Sequence, residues 1–526
     1  MNKDSGRVAK NSSLYSLVQM FIKGIGLIML PLYTNVTYIG TDEYGEYSLL
    51  SQFIYIAVFL VSLSLNNAAI RFYSDFKHDE EKVKSFFGTI ITFNILTGVG
   101  FILLCLILQK PLVNIFFTGI DFFPNVALTL LTTVAYSIYQ IYQAFLQSMQ
   151  DGVRFARNGS LFVLTHAVLN VVFLVGFKGM SIGSYKIDRL NGLVLSLILT
   201  YYAFAIFGIF DLLRRKKMKI CLQKDMLTMA LKYSIPLLPH SMANNMAGLI
   251  PKVFLNKVDK VQSAAFTAIH SVGMQFSSVI DVVQNAINSA QRPWFNEKMH
   301  EGEKGKEEII DFVMLSTLVT EIVCLGAGLF AQEVTLFIAR NDAYYEAWKI
   351  VPIFAMVHSI KCIYYNHTLA VMYDVKTNNK MFLCSGMGTL CNFLLTGILA
   401  WWVFDFNIWG TAISFLISRT VMAVLVTKLC RKSKIIMFPL KEMINKVLLC
   451  GIGIAAGIIP INAYRIISTS EQIKLFSSWS FINFGYKLII FVIFTLLIIG
   501  NRRTEIVDFV KDLTLRKKKK GKAVKD

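Results

Sequence analysis

Long apolar segments alternate with short polar ones along almost the whole chain. Most apolar segments are about 20 residues or longer, which is the length that an α-helix needs to cross a bilayer. Apolar residues continue through each segment and do not follow one face, as they would in a helix of a soluble protein. The pattern predicts an all-α integral membrane protein with about fourteen spanning helices, at residues 13–38, 47–70, 85–108, 123–148, 159–177, 191–213, 226–255, 262–290, 309–338, 346–372, 381–404, 407–427, 442–463 and 479–500.

The basic residues support this topology. If the N-terminus is cytoplasmic, the inner segments contain 36 of the 53 lysines and arginines, and the outer loops contain nine. Cytoplasmic loops of membrane proteins are enriched in Lys and Arg. We therefore expect both termini in the cytoplasm. The inner segments are then 1–12, 71–84, 149–158, 214–225, 291–308, 373–380, 428–441 and 501–526.

Composition leads to the same class. Hydrophobic residues make up 55% of the 526 residues, the mean hydropathy is +0.55, and only 16% are charged, whereas soluble domains have roughly 25% charged residues. The first apolar run is too long for a signal-peptide core, so we expect it to be retained. The net charge of +20 follows from the inner basic segments. We expect the basic tail at 516–520 to lie near lipid headgroups, and no nucleic-acid partner, because no aromatic residues are interleaved with it.

Cysteine spacing and motif content argue against several kinds of site. The eight cysteines form no CxxC pair and no Cys/His metal pattern, so we expect no disulfide, metal or cofactor. No phosphate-binding loop of an ATPase is present. No large outer loop carries acidic residues that could serve catalysis. We therefore expect a protein that is not an enzyme.

A weak internal repeat divides the chain into two lobes. The first helix ends at residues 30–35 and the seventh at 250–256, each with a proline (Pro31 and Pro251) and each followed by a small residue and an aromatic one. Transporters built from repeats bind their substrates between the repeats. The predicted divisions are an N-lobe at 1–213, a basic linker at 214–225, a C-lobe at 226–430, two further helices at 431–500 and a basic tail at 501–526.

The seventh segment is unusually polar for a membrane helix. Residues 232–260 contain three prolines, His240, two adjacent asparagines including Asn244, and Lys252. Proline bends a helix and removes a backbone donor, and polar groups at membrane depth need partners inside the protein. These features predict a broken helix that faces a polar cavity.

Charged residues inside the predicted helices indicate which kind of substrate that cavity would bind. Each such charge costs about 2.5–3.5 kcal/mol on insertion scales, and the cations outnumber the anions, so a cavity exposing them would attract an anionic substrate. Snorkelling to headgroups and structural ion pairs are the alternative interpretation. Asp281 and Glu321 are candidate counter-ions or groups that couple transport to a cation. The candidate anion-binding residues are Lys23, Arg71, Lys252, Arg292, Lys361 and Arg419.

Polar residues at helical spacing give a second set of candidates. The eighth helix carries Ser277, Asp281, Gln284, Asn288 and Gln291 at intervals of three or four residues, which places them on one face. A looser stripe in the second helix includes Ser48, Gln52, Tyr55 and Asn66. Hydrogen bonds between helices would produce the same spacing, so the stripes indicate either a cavity lining or helix packing. The polar cavity candidates are Asn66, His240, Asn244, Asp281, Gln284 and Asn288.

Four short motifs in register carry a resemblance to a known family. They are residues 30–34 (LPLYT) with 43–47 (EYGEY), 66–73 (NNAAIRFY), 233–240 (YSIPLLPH) and 291–295 (QRPWF). Together with the fourteen segments, the chain resembles the Wzx-type polysaccharide flippases of the multidrug/oligosaccharidyl-lipid/polysaccharide exporter superfamily. The family often has an acidic–basic pair late in the seventh helix, where this sequence has Pro251 and Lys252.

The resemblance implies a flippase of the bacterial cytoplasmic membrane. It would move polyprenyl-diphosphate-linked oligosaccharides to the outer leaflet for O-antigen, capsule or exopolysaccharide synthesis, by rocking of two lobes. Implied partners are membrane lipid, a polysaccharide polymerase, a chain-length regulator and a coupling H+ or Na+. A multidrug exporter of the same superfamily and a membrane polysaccharide polymerase remain as alternatives. A site for cationic drugs should be acidic, and a polymerase should have a large outer loop.

Overall fold

The described part of the chain folds into a bundle of helices with a small β-hairpin. The structure, a computed structural model, describes residues 18, 20–21, 24–187, 189–257, 263–373, 377, 380–400, 408–463 and 478–500. Two strands, β1 (Met180–Ile182) and β2 (Tyr185–Ile187), pair antiparallel. The predicted all-α membrane fold is confirmed. The α-helices are α1 (Leu30–Tyr33), α2 (Thr41–Ser62), α3 (Leu65–Phe76), α4 (Glu80–Ile107), α5 (Gln109–Phe116), α6 (Ala127–Ser148), α7 (Gly152–Val171), α8 (Arg189–Arg214), α9 (Lys224–Ser234), α10 (Leu238–Leu255), α11 (Ser263–Met299), α12 (Glu303–Leu329), α13 (Ala331–Ile338), α14 (Val351–Tyr373), α15 (Met381–Ile398), α16 (Ile408–Ser433), α17 (Leu440–Ala463) and α18 (Ser478–Ile499).

Eleven of the described helical stretches are long and apolar enough to cross a membrane. The protein is therefore a multi-span membrane protein. α10 and α11 are not among the eleven, because their polar residues lower the hydropathy of the seventh and eighth segments, and the first segment is described only in part. The count of fourteen spans stays a prediction. Residues 501–526, with the predicted basic tail, lie outside the described residues.

Short polar side chains set the beginnings of two helices on the predicted cytoplasmic side. The Asp79 carboxylate accepts a hydrogen bond from the Lys82 backbone N–H at 3.1 Å and caps α4, and Asp151 accepts one from Arg154 at 3.3 Å and caps α7. A capping carboxylate satisfies a backbone donor that has no partner within the helix. The Lys82 N–H also holds the pKa of Asp79 below its usual value. The second helix begins at Thr41, six residues before the predicted boundary, because its first turn is polar.

The seventh segment is broken, as predicted. α9 ends at Ser234, a 3₁₀ turn covers Ile235–Leu237, and α10 begins at Leu238. Pro236 lies in this turn and lacks the N–H that a continuous helix would use. α9 packs on α3, whereas α10 packs on α2 and α15. The break thus separates two helices that pack against different parts of the protein.

The N-terminal half of the chain (residues before 214) meets the C-terminal half along α2 and α11. The helices approach closely at Gly45, where a Cβ atom would lie 1.9 Å from the backbone oxygen of Ala264. Only glycine fits at such a contact. α17 and α18 pack on α12, outside this interface, and α18 exposes a row of large apolar side chains that is typical of a lipid-facing helix. The division into lobes at the predicted boundaries remains a prediction.

Candidate functional site

A cavity of about 540 Å³ lies between the two halves. Its walls are formed by α2, α7 and α8 from the N-terminal half, by α10, α11, α14 and α16 from the C-terminal half, and by the described end of the first helix. Sites in transporters commonly lie between halves, where a relative motion can change their access. This cavity is therefore the candidate for the predicted substrate site.

The most strongly connected charges in the cavity lie on α11 and α14. The Lys361 Nζ donates to Asp281 Oδ1 at 2.6 Å and lies 4.9 Å from the centre of the Tyr365 ring. The sequence placed both charged residues among its candidates but gave no reason to pair them. Because each ion alone would be costly to bury, the pair lowers the cost of placing both in the protein interior.

His358 joins this pair from the same helix as Lys361. Its Nδ1 lies 3.3 Å from Asp281 Oδ1 and 3.2 Å from Gln284 Oε1. Both of these atoms are acceptors, so the geometry requires a proton on Nδ1. The Gln284 amide in turn donates to the His358 backbone oxygen at 2.6 Å. Gln284 therefore orients the histidine without lining the cavity itself.

Arg419 on α16 is the cavity cation whose charge has the weakest described partners, an aromatic ring and a thioether sulfur. Its guanidinium lies 4.9 Å from the centre of the Phe415 ring, and Nη1 lies 3.3 Å from the sulfur of Met422. The buried Nε has no hydrogen-bond partner in the described part of the chain. A guanidinium has five N–H donors in a fork that fits phosphate and carboxylate. Arg419 thus has unused donors beside an internal cavity.

Lys252 on α10 connects the two halves. Its Nζ donates to the backbone oxygen of Ser48 at 3.2 Å and to Ser48 Oγ at 2.6 Å. Ser48 Oγ is also 2.5 Å from Ser271 Oγ on α11. No carboxylate pairs with Lys252 among the described residues, in agreement with the absence of a neighbouring acid in the sequence. Its charge is therefore solvated only by serine and backbone oxygens.

The described cavity lining carries a net positive charge. Lys252, Lys361 and Arg419 line it with Asp281 as the single described carboxylate, and all four were predicted as site residues. In an interior of low dielectric constant, such an excess attracts an anion more strongly than the same charges would in water. The roles predicted for the four residues remain proposals.

The wall contributed by the N-terminal half is aromatic and was largely missed from the sequence. Asn170 donates to the Tyr33 hydroxyl at 2.7 Å, and the Tyr33 and Tyr44 rings stack at 5.6 Å. The sequence indicated part of this wall through the polar stripe of α2, of which Ser48, Gln52 and Tyr55 line the cavity. The described residues of this wall that carry rings or amides are Tyr33, Tyr44, Tyr47, Gln52, Tyr55, Phe162, His166, Asn170 and Tyr201.

Several contacts join the two halves beside the cavity, close to its lining residues Tyr33 and Tyr44. The Arg340 backbone N–H donates to Thr34 Oγ1 at 3.1 Å, and Asn341 donates to Thr41 Oγ1 at 3.4 Å. The Tyr44 and Tyr344 rings meet edge to face at 6.1 Å. We call these contacts, with the Lys252–Ser48 bond, the cap. The predicted topology puts the cap on the outer side of the membrane.

Several predicted residues lie elsewhere. Arg71 is exposed and forms an ion pair with Asp75 at 3.1 Å, while Asn66 and Asn288 are not among the lining residues. Glu321 is fully buried on α12, where it accepts from Ser359 Oγ at 2.5 Å. The cavity gives no support to direct substrate contacts by Arg71, Asn66 or Asn288, and Glu321, predicted for ion coupling, does not line it. Lys23 and the side chains of His240, Asn244 and Arg292 lie outside the described part of the structure.

Comparison with a family model decides the classification. Residues 8–299 match the model described as "Polysaccharide biosynthesis protein". The chain belongs to this polysaccharide biosynthesis family. The resemblance stated from the four sequence motifs is thereby confirmed. One relative, "Lsg locus putative protein 1" of Haemophilus influenzae, is 19% identical over 389 residues, covering 73% of this chain and 89% of the relative.

Solved structures share the fold of this member of the polysaccharide biosynthesis family. The lipid II flippase MurJ in an inward closed conformation matches with a TM-score of 0.68 and 14% identity, over 92% of this chain and 98% of MurJ. An inward-facing multidrug resistance MATE transporter matches with a TM-score of 0.59 and 12% identity, over 78% of this chain and 94% of the transporter. At these identities the likeness concerns the fold, which is that of a membrane transporter.

Proposed function

We propose that this protein is a flippase that moves polyprenyl-diphosphate-linked oligosaccharides from the inner to the outer leaflet of the bacterial cytoplasmic membrane. The observation that carries the proposal is the positively charged cavity between the halves, and above all Arg419 with its unused donors. A lipid diphosphate is an anion that fits this charge. Membership in the polysaccharide biosynthesis family supports a glycan as the attached group.

The geometry supports specific contacts with the diphosphate. Arg419 would bind one phosphate through its fork of N–H donors. Lys361 would bind the other through an ammonium N–H that it does not use for Asp281, because a lysine ammonium has three donors. Membrane lipid would surround the polyprenyl chain outside the cavity, because a long hydrocarbon gains nothing from a polar site.

Asp281 is also our candidate for coupling to H+ or Na+. A diphosphate beside Lys361 would place a second anion close to Asp281, and a cation bound to Asp281 would offset their repulsion. Glu321 is the other acid proposed for coupling, but it lies behind Ser359 and does not reach the cavity. The geometry therefore favours Asp281 for this role.

Transport would follow from rocking of the two halves. If the cap lies on the outer side, as the topology predicts, the capped conformation would be the one that receives substrate from the cytoplasm. Separation of the cap contacts, including Lys252–Ser48, would open the cavity to the outer leaflet, where a polysaccharide polymerase and a chain-length regulator would use the product. The break between α9 and α10 would permit the two helices to move separately.

A multidrug exporter is the main competing function, because MATE transporters share the fold. A site for cationic drugs needs acidic residues, whereas the described lining has three cations and one carboxylate. A membrane polysaccharide polymerase would be a third function, but the transporter fold does not favour it. The charge of the cavity therefore supports an anionic substrate.

Deletion of the gene tests the proposal. We expect loss of a surface polysaccharide and accumulation of its lipid-linked repeat unit in the inner leaflet, measured by extraction and mass spectrometry. Reintroduction of the gene should restore the polymer. A deletion strain with unchanged surface glycans and lipid-linked intermediates would contradict the proposed function.

Arg419→Gln tests the cavity in the same strain. We expect this variant to be present in the membrane but to leave the lipid-linked intermediate unflipped. Arg431→Gln is the matched control, because Arg431 lies at the exposed end of the same helix, away from the cavity. Equal complementation by both variants would rule out Arg419 as a diphosphate-binding residue.

A further inference from the structure

Tyr55 differs from the other tyrosines that line the cavity. Its side chain is 41% exposed, whereas Tyr33, Tyr44, Tyr47 and Tyr201 are 3–8% exposed. Tyr55 lies in the middle of α2, and the exposed surface of its ring belongs to the cavity wall. A large ring in a protein interior normally gains stability from being covered. Its exposure to an internal cavity indicates surface reserved for a ligand.

Other rings hold Tyr55 from behind. The Tyr55 ring contacts Tyr136 edge to face at 5.6 Å, and Tyr136 contacts Tyr201 in the same way at 4.9 Å. Tyr201 is in turn 4.9 Å from Phe162. These contacts join α2, α6, α8 and α7 and leave the Tyr55 ring little freedom to reorient. A ligand that packs on this ring therefore meets a rigid surface and loses little entropy of the protein.

The surroundings of Tyr55 are polar but uncharged. Ser51 and Gln52 lie on the adjacent turn of α2, and Gln275 and Ser278 face the same cavity from α11. The described cations of the cavity are on α10, α14 and α16. An aromatic face beside amides and hydroxyls suits a pyranose, because the electron-rich ring face attracts the polarised C–H groups of a sugar while its hydroxyls bond to the polar groups.

We propose that Tyr55 is the stacking platform for the sugar residues closest to the diphosphate of the substrate. This inference rests on the proposed function and adds a glycan subsite on the wall of the N-terminal half. Arg419 and Lys361 bind the charged group, and Tyr55 selects for a glycan attached to it. The two subsites together distinguish a lipid-linked oligosaccharide from the bare polyprenyl diphosphate.

Transport by the full-length protein in proteoliposomes tests the platform. One probe is the lipid-linked oligosaccharide extracted from the deletion strain, and the other is polyprenyl diphosphate without a glycan. Tyr55→Leu keeps apolar bulk but removes the ring, and Tyr55→Phe keeps the ring. We expect Tyr55→Leu to raise the apparent KM for the oligosaccharide probe by about threefold to tenfold, with the bare lipid unaffected and Tyr55→Phe close to the unmodified protein.

Tyr233→Leu is the matched control, because Tyr233 is 38% exposed but does not line the cavity. If Tyr55→Leu does not accumulate in membranes, Tyr55→Gln replaces it in the same comparison. Equal transport by the ringless variant overturns the inference, as does an equal loss with both probes or an equal loss in Tyr55→Phe. Absence of transport by the unmodified protein would instead count against the proposed function.

Discussion

Lys361 and Lys252 line the same cavity, but their charges are compensated differently. Lys361 binds a carboxylate of its own half, Asp281, at 2.6 Å. Among the described residues, Lys252 donates only to oxygens of Ser48, which belongs to the opposite half. The first contact can persist while the halves move, whereas the second must break when the cap opens. We therefore propose that Lys361 contributes with Arg419 to substrate binding and that Lys252 contributes to the stability of the capped conformation.

The largest expected effect follows from removing the partner of Asp281. Lys361→Ala should abolish transport and lower the free energy of unfolding by about 2 kcal/mol. This cost is below that of a fully buried pair, because the Asp281 side chain is 24% exposed. The double variant Lys361→Ala/Asp281→Asn should recover most of the stability but not the transport. Thermal unfolding in detergent and surface polymer measure the two effects, and recovery of polymer by the double variant would contradict a binding role for Lys361.

Lys252→Gln should mainly shift the conformational equilibrium. Hydrogen bonds to a charged group contribute about 1.5–3 kcal/mol, so loss of the contacts with Ser48 should reduce the capped population by about tenfold or more. Thr41→Cys and Asn341→Cys, whose parent side chains meet across the cap, provide a crosslinking readout. Lys349→Gln is the control, because Lys349 pairs with Glu346 in its own segment. An unchanged crosslinking yield in Lys252→Gln would contradict the proposed role of Lys252 in stabilising the cap.

The sequence was sufficient for the membrane class and for the break in the seventh helix. Long apolar segments and proline act locally, so their consequences can be predicted without tertiary structure. It also singled out Lys252, Asp281, Lys361 and Arg419, because a charge inside an apolar segment is costly wherever it lies. These features do not depend on how the helices are rotated or packed.

The pairing of those residues could not be predicted in the same way. Asp281 and Glu321 look alike in the sequence, yet one reaches the cavity and the other is enclosed by α12, α14 and α17. The difference depends on the rotation of each helix about its axis, which many weak packing contacts set jointly. Most of the aromatic wall, apart from Tyr55, was missed for the same reason, since tyrosines in apolar helices are usually packing residues.

Ser48→Ala sharpens the assignment of Lys252. The variant removes one of the two acceptors of Lys252 and leaves the Ser48 backbone oxygen in place. We expect the capped conformation to lose about 1 kcal/mol of stability. The ratio of capped to open protein, measured by the same crosslink, should then be about fivefold lower. A shift as large as that of Lys252→Gln would mean that the hydroxyl of Ser48, and its contact with Ser271, carries the whole effect.

Arg71→Ala should have the smallest effect, although the sequence places Arg71 among the anion-binding candidates. Its ion pair with Asp75 is half exposed, and such pairs contribute about 0.5 kcal/mol or less. We therefore expect the unfolding equilibrium constant and the amount of surface polymer to stay within about twofold of the values for the unmodified protein. The matched variant Arg419→Gln differs in removing a cation from the cavity. Loss of polymer in a stable Arg71→Ala protein would mean that the diphosphate is bound outside the cavity during entry, so that Arg419 and Lys361 would not by themselves account for substrate recognition.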